Sequence, residues 1–174
     1  MTLDTKRLTL KIFKKSMISE LYLKSLNDKS IVGMTEARHT VWNKKNAEDF
    51  IENSNSNSSK MIAVFLKNSK QIGNIRLFNI NYTHKRAELS LLFYDKSEWG
   101  KGYASEAITA IISYAFKNLK LHRVYADHYS NNIGSSKMFK KVGFKEEGVF
   151  KDHFVQEDNS YLDSVRIAII NNTI

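Results

Sequence analysis

The chain has 174 residues, of which 42% are hydrophobic and 26% are charged, and these proportions are typical of a globular protein with its own core. The absence of cysteine excludes disulfides and thiolate metal sites, and the absence of any apolar run of roughly 20 residues predicts a cytoplasmic protein that does not cross a membrane. The 27 basic residues outnumber the 18 acidic ones, and the resulting net charge of +9 favours anionic partners over cationic ones.

The first half of the chain predicts one strand, two helices and then a meander of strands. Apolar and polar residues alternate over residues 7–13, which indicates a strand. Ser16 is the expected cap of a helix that ends near residue 27, and Asn43 or Asn46 is the expected cap of a second helix. Residues 53–59 are all Asn or Ser and predict a flexible, solvated loop. Three antiparallel strands are then expected, over residues 60–67, 71–80 and 86–94.

The second half of the chain predicts a strand–helix–strand unit. The clearest helix follows Gly100, because apolar residues recur there at helical spacing as far as Phe116. The remaining expected elements are a strand over 122–129, a short helix over 132–142, and strands near 144–150 and 161–170. A meander that leads into such a unit predicts an α/β fold, with a mixed, mostly antiparallel sheet and helices on both faces. We expect a single domain over residues 1–174.

A turn with two glycines connects the strand over 86–94 to the clearest helix. Gly100 and Gly102 allow the backbone to turn tightly and to direct several amides at one point. The helix that begins there adds its positive dipole end, and Lys101 adds a full charge. The turn therefore suits a pyrophosphate, although a glycine-assisted turn without a ligand has the same pattern.

Five ordered motifs point to a known family. They are WGKGYASEA over 99–107, YAF over 114–116, LKLHRVY over 119–125, NIGS over 132–135 and KVGFKEEG over 141–148. With these motifs the chain resembles the GNAT family of N-acetyltransferases from about residue 7 to residue 169, especially its branch of ribosomal-protein acetyltransferases. The resemblance implies a single-domain fold with a splay between two central strands. It also implies acetyl-CoA as co-substrate, with its acyl arm in the splay, and no metal.

The resemblance also implies which residues hold acetyl-CoA. Strand backbone would pair with the pantetheine, the glycine turn would hold the pyrophosphate, and the short helix would contact the thioester and the adenosine phosphate. The residues expected in these roles are Leu92, Phe93, Tyr94, Trp99, Gly100, Lys101, Gly102, Tyr103, Ala104, Ser105, Asn132, Ser135 and Lys141. Asn132 equally fits a helix cap. The chain departs from the family at Ser97, where Arg or Gln is usual, and at Phe139, where related enzymes place a proton-donating tyrosine.

Glu88 is the candidate general base. Strand alternation places Glu88 as the lone carboxylate on one face of the strand over 86–94, and it matches the position of the base proposed for many family members. We predict that it accepts the amine proton through a water, whereas a salt bridge to Arg76 or Arg86 is the structural alternative. Tyr129 and His128 end the next strand, and either can orient the acceptor or protonate the leaving thiolate.

The acceptor is expected near the connection between the first helices, at Arg38 and His39, with further contacts from Arg76 and His128. Three acceptors fit the resemblance: a nucleotide-linked amino sugar, a protein amino terminus and a polyamine. The positive net charge disfavours a polyamine, so we predict the amino sugar, with the protein amino terminus as the alternative. A noncatalytic acyl-CoA-binding module and a basic nucleic-acid binder are weaker alternatives. We expect no nucleic-acid or membrane partner, and a homodimer is compatible with the sequence.

Overall fold

The computed structural model describes residues 1–172 and places all strands in one eight-stranded sheet. The strands are Thr2–Asp4 (β1), Leu8–Ile12 (β2), Lys60–Leu66 (β3), Gln71–Asn81 (β4), Arg86–Phe93 (β5), Arg123–Tyr129 (β6), Lys145–Val155 (β7) and Tyr161–Ile170 (β8). Their order in the sheet is β1-β2-β3-β4-β5-β6-β8-β7, and all pairs are antiparallel except β5–β6. The predicted mixed, mostly antiparallel sheet is confirmed. Residues 173 and 174 of the predicted domain lie outside the described part.

The α-helices of the described chain are Glu20–Leu26 (α1), Lys29–Val32 (α2), Lys44–Asn53 (α3), Tyr103–Lys117 (α4) and Ile133–Val142 (α5). Ser19, and not Ser16, caps α1 by accepting a hydrogen bond from the Tyr22 amide at 3.1 Å. Ser16 lies in a 3-10 turn, whereas Ser19 has the extended backbone that a cap requires (φ −94°, ψ 161°). Asn43 caps α3, and together with Asn46 it forms a capping box.

The sheet has a hydrophobic core on each face, so the predicted placement of helices on both faces is confirmed. The larger core lies under α4 and α5 and includes Ile108, Ile111 and Phe139. The smaller core lies under α1 and α3, where Phe13 and Tyr22 pack edge-on at 5.1 Å. Side chains that alternate along a strand therefore point into two different environments.

The stretch of Asn and Ser residues after α3 is more ordered than predicted. Ser54 and Ser59 are buried, and the Ser59 hydroxyl donates a hydrogen bond to the Ser54 carbonyl at 2.8 Å. The prediction of a solvated loop is wrong for these two residues, because the chain must turn back here to enter β3 and its polar groups bond to one another.

The parallel strands β5 and β6 separate after a short paired segment. They pair only over residues 86–88 of β5 and 123–125 of β6. Beyond that point β5 stays with β4 as far as Phe93, and β6 stays with β8 as far as Tyr129. The two central strands therefore diverge toward their carboxyl ends, and this divergence is the predicted splay.

Candidate active site

The splay exposes backbone groups of β5 that no strand covers. The Tyr94 amide donates to the Ile72 carbonyl at 3.1 Å, so the backbone groups of Tyr94 and, by alternation, of Leu92 face β4. The backbone groups of Phe93 face the splay, where its carbonyl accepts a 2.8 Å hydrogen bond from the Trp99 indole. Of the three strand residues predicted to bind pantetheine, Phe93 alone directs its backbone groups to the splay.

The glycine turn forms an open nest at the start of α4. Gly100 and Gly102 have φ values of +76° and +80°, in the left-handed region that favours glycine. A Cβ added at Gly100 would meet no atom within 4 Å, so open space lies beside the backbone there. The helix begins at Tyr103, after the second glycine, and its first turn contains Tyr103, Ala104 and Ser105. Amides arranged in this way, at the positive end of a helix, fit a pyrophosphate.

Acidic side chains next to the nest are neutralised by lysines. Lys70 bonds Asp95 at 2.7 Å and Glu98 at 3.0 Å, and Lys101 bonds Glu98 at 2.8 Å. Hydrogen bonds from Lys101 and then Lys70 lower the pKa of Glu98, and the bond to Asp95 is the main cause that raises the pKa of Lys70. Ser97 donates its hydroxyl to Asp95 at 2.6 Å, so this departure from the family stabilises the turn before the nest.

The short helix α5 lies next along the chain after β6. The Asn132 side chain accepts a 3.0 Å hydrogen bond from the Ser135 amide, so its cap role is confirmed, and a cofactor contact stays a prediction for both residues. Lys141 is exposed on α5. Phe139 is 3% exposed and packs edge-on against Phe144 at 5.0 Å, which makes it a core residue.

Glu88 lies at the closed end of the splay. It belongs to the last residue pair of the β5–β6 ladder, opposite Tyr125. Asn79 donates to its carboxylate at 3.0 Å. Burial first, and then the negative charge of Glu88, raises the pKa of Tyr125, so the Tyr125 hydroxyl stays protonated at neutral pH. Arg76 attracts Glu88 only over a longer distance, and no ion pair joins the two within residues 1–172.

Tyr129 lies at the open end of the splay, on the same sheet face as Glu88. Its hydroxyl donates a hydrogen bond to Glu36, its ring packs edge-on against Phe154 at 4.3 Å, and Arg38 lies 4.8 Å above the ring. Burial, followed by Glu36, raises the pKa of Tyr129, so its hydroxyl stays protonated at neutral pH.

His128 lies on the opposite face of β6 from Tyr129. By strand alternation it shares its side with Val124 and Ala126, which belong to the larger core. Its Nδ1 is 2.9 Å from the Tyr129 carbonyl. The side chains of His128 and Tyr129, which were predicted from the sequence for the same roles, therefore lie on opposite faces of the sheet.

The predicted acceptor arginines are largely engaged within the protein. Arg38 donates to the Val155 carbonyl at 3.0 Å and the Gly33 carbonyl at 3.1 Å, and its Nε contacts His39 at 3.1 Å. Arg76 donates to Ser59 at 3.2 Å. The guanidinium of Arg76 also lies over Phe50 and Phe78, and burial lowers its pKa.

Two residues next to Glu88, Asn79 and Tyr125, were not among the residues predicted for the site. Tyr125 was detectable, because alternation along β6 places it on the same face as Tyr129. Asn79 sits at a register shift of β4 with a φ of +50°, which sequence does not specify. Glu36 reaches Tyr129 across 93 residues of chain, a contact without a local signal.

A surface cleft of about 530 Å3 has Arg38, whose guanidinium lies over the Tyr129 ring, in its wall. Its lining residues are Lys29, Gly33, Arg38, Asn131, Gln156, Glu157, Asp158, Ser160 and Leu162. Lys29 and Glu157 pair at 2.8 Å across it, so the cleft has both signs of charge. In the described chain, no helix has the length and apolarity to cross a membrane, and no three His, Asp or Glu side chains converge as metal ligands.

Comparison with known proteins agrees with this geometry. A model of the acetyltransferase (GNAT) domain matches residues 7–145. The N-acetyltransferase YnaD of Bacillus subtilis is 29% identical over 98% of this chain and 97% of its own length. A spermidine N(1)-acetyltransferase of Vibrio cholerae is 32% identical over 58% of this chain. The match spans about half the length of several such relatives, 57% of that enzyme and 55% of YjcK of Bacillus subtilis.

The fold comparison covers nearly the whole chain. The structure of spermidine N-acetyltransferase from Vibrio cholerae in complex with CoA and spermine has a TM-score of 0.82 and 24% identity, covering 95% of this chain and 96% of that one. The predicted likeness to ribosomal-protein acetyltransferases rests on a shorter match. The uS5-alanine N-acetyltransferase of Escherichia coli is 34% identical over 40% of this chain and 36% of its own length.

Proposed function

We propose that this chain, which belongs to the acetyltransferase (GNAT) domain family and is an acyl-CoA-dependent N-acetyltransferase, acetylates a small primary amine of the polyamine type. The observation that carries the acceptor is the exposed carboxylate of Glu36, bonded to Tyr129 at the open end of the splay. A carboxylate held there can receive an ammonium group next to the cofactor arm. The similarity to spermidine acetyltransferases supports the same acceptor class.

The chain's own residues supply cofactor binding and proton transfer. Acetyl-CoA, when bound, supplies the activated acetyl group. The nest at Gly100 and Gly102 would hold its pyrophosphate, and the backbone of Phe93 would pair with its pantetheine arm. Binding at Phe93 requires the Trp99 indole to release the carbonyl.

In the reaction the amine nitrogen forms an amide bond as the carbon–sulfur bond breaks. Glu88 accepts the proton that the amine loses, through a water, because it is the carboxylate at the base of the splay. Tyr129 keeps its proton at neutral pH and, once its hydroxyl releases Glu36, donates that proton to the departing thiolate from the same sheet face. Solvent in the cleft beside Arg38 then returns a proton to the Tyr129 phenolate.

The positive net charge does not exclude a polyamine acceptor, because the charges are distributed unevenly over the molecule. The net charge of +9 includes exposed lysines of the cofactor side, such as Lys101 on the glycine turn and Lys141 on α5. On the acceptor side the carboxylate of Glu36 is exposed, whereas Glu157 and Asp158 of the cleft are offset by Lys29 and Arg38. An exposed local carboxylate attracts a cation even when the whole molecule is positive.

The nucleotide-linked amino sugar has less support, because it relied on free guanidinium groups. Arg38 is hydrogen-bonded to backbone carbonyls and to Gln156, so it is not available to a phosphate. An anionic amine is the second candidate acceptor, with Arg76 as the group that binds it. The half-buried guanidinium of Arg76 has no carboxylate in contact with it in the described chain. A protein amino terminus follows in third place, from the match to the uS5 enzyme.

Thiol release from acetyl-CoA tests the acceptor with spermidine, a UDP-linked amino sugar and an amino-terminal peptide. We expect release with spermidine, and we expect Glu36→Gln to raise the KM for spermidine about tenfold with little change in kcat. Glu147→Gln is the matched control, because Glu147 pairs with Arg123 away from the open end of the splay. Release with the sugar or the peptide alone would replace the polyamine. We place the reaction in the cytoplasm, and the homodimer stays a prediction.

A further inference from the structure

Arg7 connects the beginning of the chain to the glycine turn, 94 residues later. Its Nη1 donates to the Lys101 carbonyl at 3.0 Å, and its guanidinium lies 4.4 Å above the Tyr103 ring. Its Nη2 is 3.7 Å from the position that a Cβ would take at Gly102. The guanidinium therefore contacts the backbone of the nest, one side chain of α4 and the second glycine.

Arg7 also binds the one acidic side chain in the first turn of α4, Glu106. Its Nε donates to one carboxylate oxygen at 2.6 Å, and its backbone amide donates to the other at 2.9 Å. The Thr5 hydroxyl adds a third hydrogen bond at 2.6 Å. Burial alone would raise the pKa of Glu106, but these hydrogen bonds outweigh burial and lower it.

The placement of Glu106 creates an electrostatic problem for the proposed cofactor site. A carboxylate in the first turn of a helix is attracted to the same unpaired amides and dipole end that would hold a pyrophosphate. Left unpaired, it would also repel the phosphates directly. Arg7 removes both effects, because it pairs the carboxylate on the side of β2 and keeps it away from the nest.

We infer that Arg7 is a positioning residue for the cofactor, which neutralises Glu106 and holds the Lys101 carbonyl so that the amides of the nest remain free for the pyrophosphate. This inference rests on the proposed function, because it takes the nest as the pyrophosphate site. Arg7 acts through Glu106 and the turn, so removing Glu106 must compensate for the loss of Arg7.

Calorimetric titration of CoA into the full-length protein tests the inference without any turnover. We expect Arg7→Gln to weaken CoA binding about tenfold, and Arg7→Lys, which keeps the charge, to stay within about threefold of the wild type. The double variant R7Q/E106Q is expected to return to within about threefold of E106Q. Arg123→Gln is the control, because it breaks another Arg–Glu pair, with Glu147, at the closed end of the splay and away from the glycine turn.

A merely structural role for Arg7 gives a different pattern. Thermal unfolding without CoA would then fall in R7Q and R123Q alike, and the second substitution E106Q would not restore CoA binding. A double variant as weak as R7Q overturns the inference, and so does a tenfold loss in R7K at wild-type thermal stability. If the wild type itself fails to bind CoA, the proposed function fails. If it binds and R7Q binds equally well, only the role of Arg7 fails.

Discussion

Glu88 receives a hydrogen bond from the neutral amide of Asn79 and lies opposite Tyr125 in the β5–β6 ladder, at the closed end of the splay. Neutral donors orient a carboxylate without holding it in an ion pair, so it remains free to accept a proton from an amine or a bridging water. This environment differs from that of Glu147 or Asp127, each of which is paired with an arginine. The carboxylates on β6 and β7 are therefore held in ion pairs, whereas the carboxylate on β5 has the proposed catalytic role.

The substitution Glu88→Gln tests this role. The amide keeps the shape of the carboxylate and one oxygen that can accept the hydrogen bond from Asn79, but it cannot accept a proton, so we expect kcat/KM to fall about 100-fold or more. The loss should shrink as pH rises and more of the acceptor amine becomes unprotonated. Steady-state kinetics from pH 6 to pH 9 (about three units) would measure it. Turnover within twofold of wild type at every pH would remove Glu88 from the mechanism, and Glu147→Gln serves as the control.

Elements of the cofactor side depend on backbone conformation more than on side chains. The nest exists because two left-handed residues, Gly100 and Gly102, precede a helix that begins at Tyr103. A side chain at Gly100 would meet no protein atom, so packing does not forbid it. Its cost comes from the backbone conformation and from the space that the phosphates need.

We therefore expect Gly100→Ala to lower stability by about 1 kcal/mol and to weaken CoA binding about tenfold, because a methyl group enters the nest. Thermal unfolding and calorimetric titration would measure the two effects separately. Gly148→Ala is the matched control: it also has open space around it but no positive φ, so it should leave CoA affinity unchanged. Equal CoA affinity in Gly100→Ala and the wild type would argue that the phosphates bind elsewhere.

The sequence predicted the elements that are long enough to show a period. The alternation of β5 and the helical spacing of α4 gave bounds within a few residues of those observed. The short elements β1 and α2, of three and four residues, contain too little of a period to be recognised. The contacts that build the site could not be predicted from the sequence, because Arg7 contacts Glu106 across 99 residues of chain and Tyr129 contacts Glu36 across 93. Such pairs depend on the packing of the whole sheet.

The excess of positive charge on the molecule has opposite effects on acetyl-CoA and on the proposed polyamine acceptor. A net charge of +9 attracts the phosphates of acetyl-CoA and repels a polyamine, so the carboxylates of the acceptor side must offset this repulsion locally. Salt screens interactions between exposed charges over about 10 Å, and it therefore weakens the attraction and the repulsion alike. A substrate that both the net charge and its site attract should therefore respond to salt more strongly than one that only its site attracts.

We expect the KM for acetyl-CoA to rise several-fold between about 50 mM and about 300 mM sodium chloride, and the KM for spermidine to change less than about twofold, because salt weakens both the repulsion by the net charge and the attraction by Glu36. Initial rates with each substrate varied in turn would measure both. S-acetylpantetheine, which lacks phosphates, is the control donor, and its KM should not change. An anionic amine should instead show a KM that rises with salt as much as that of acetyl-CoA, and the half-buried charge of Arg76 then becomes the group that binds it. The two outcomes separate the polyamine from the anionic amine without any substitution in the chain.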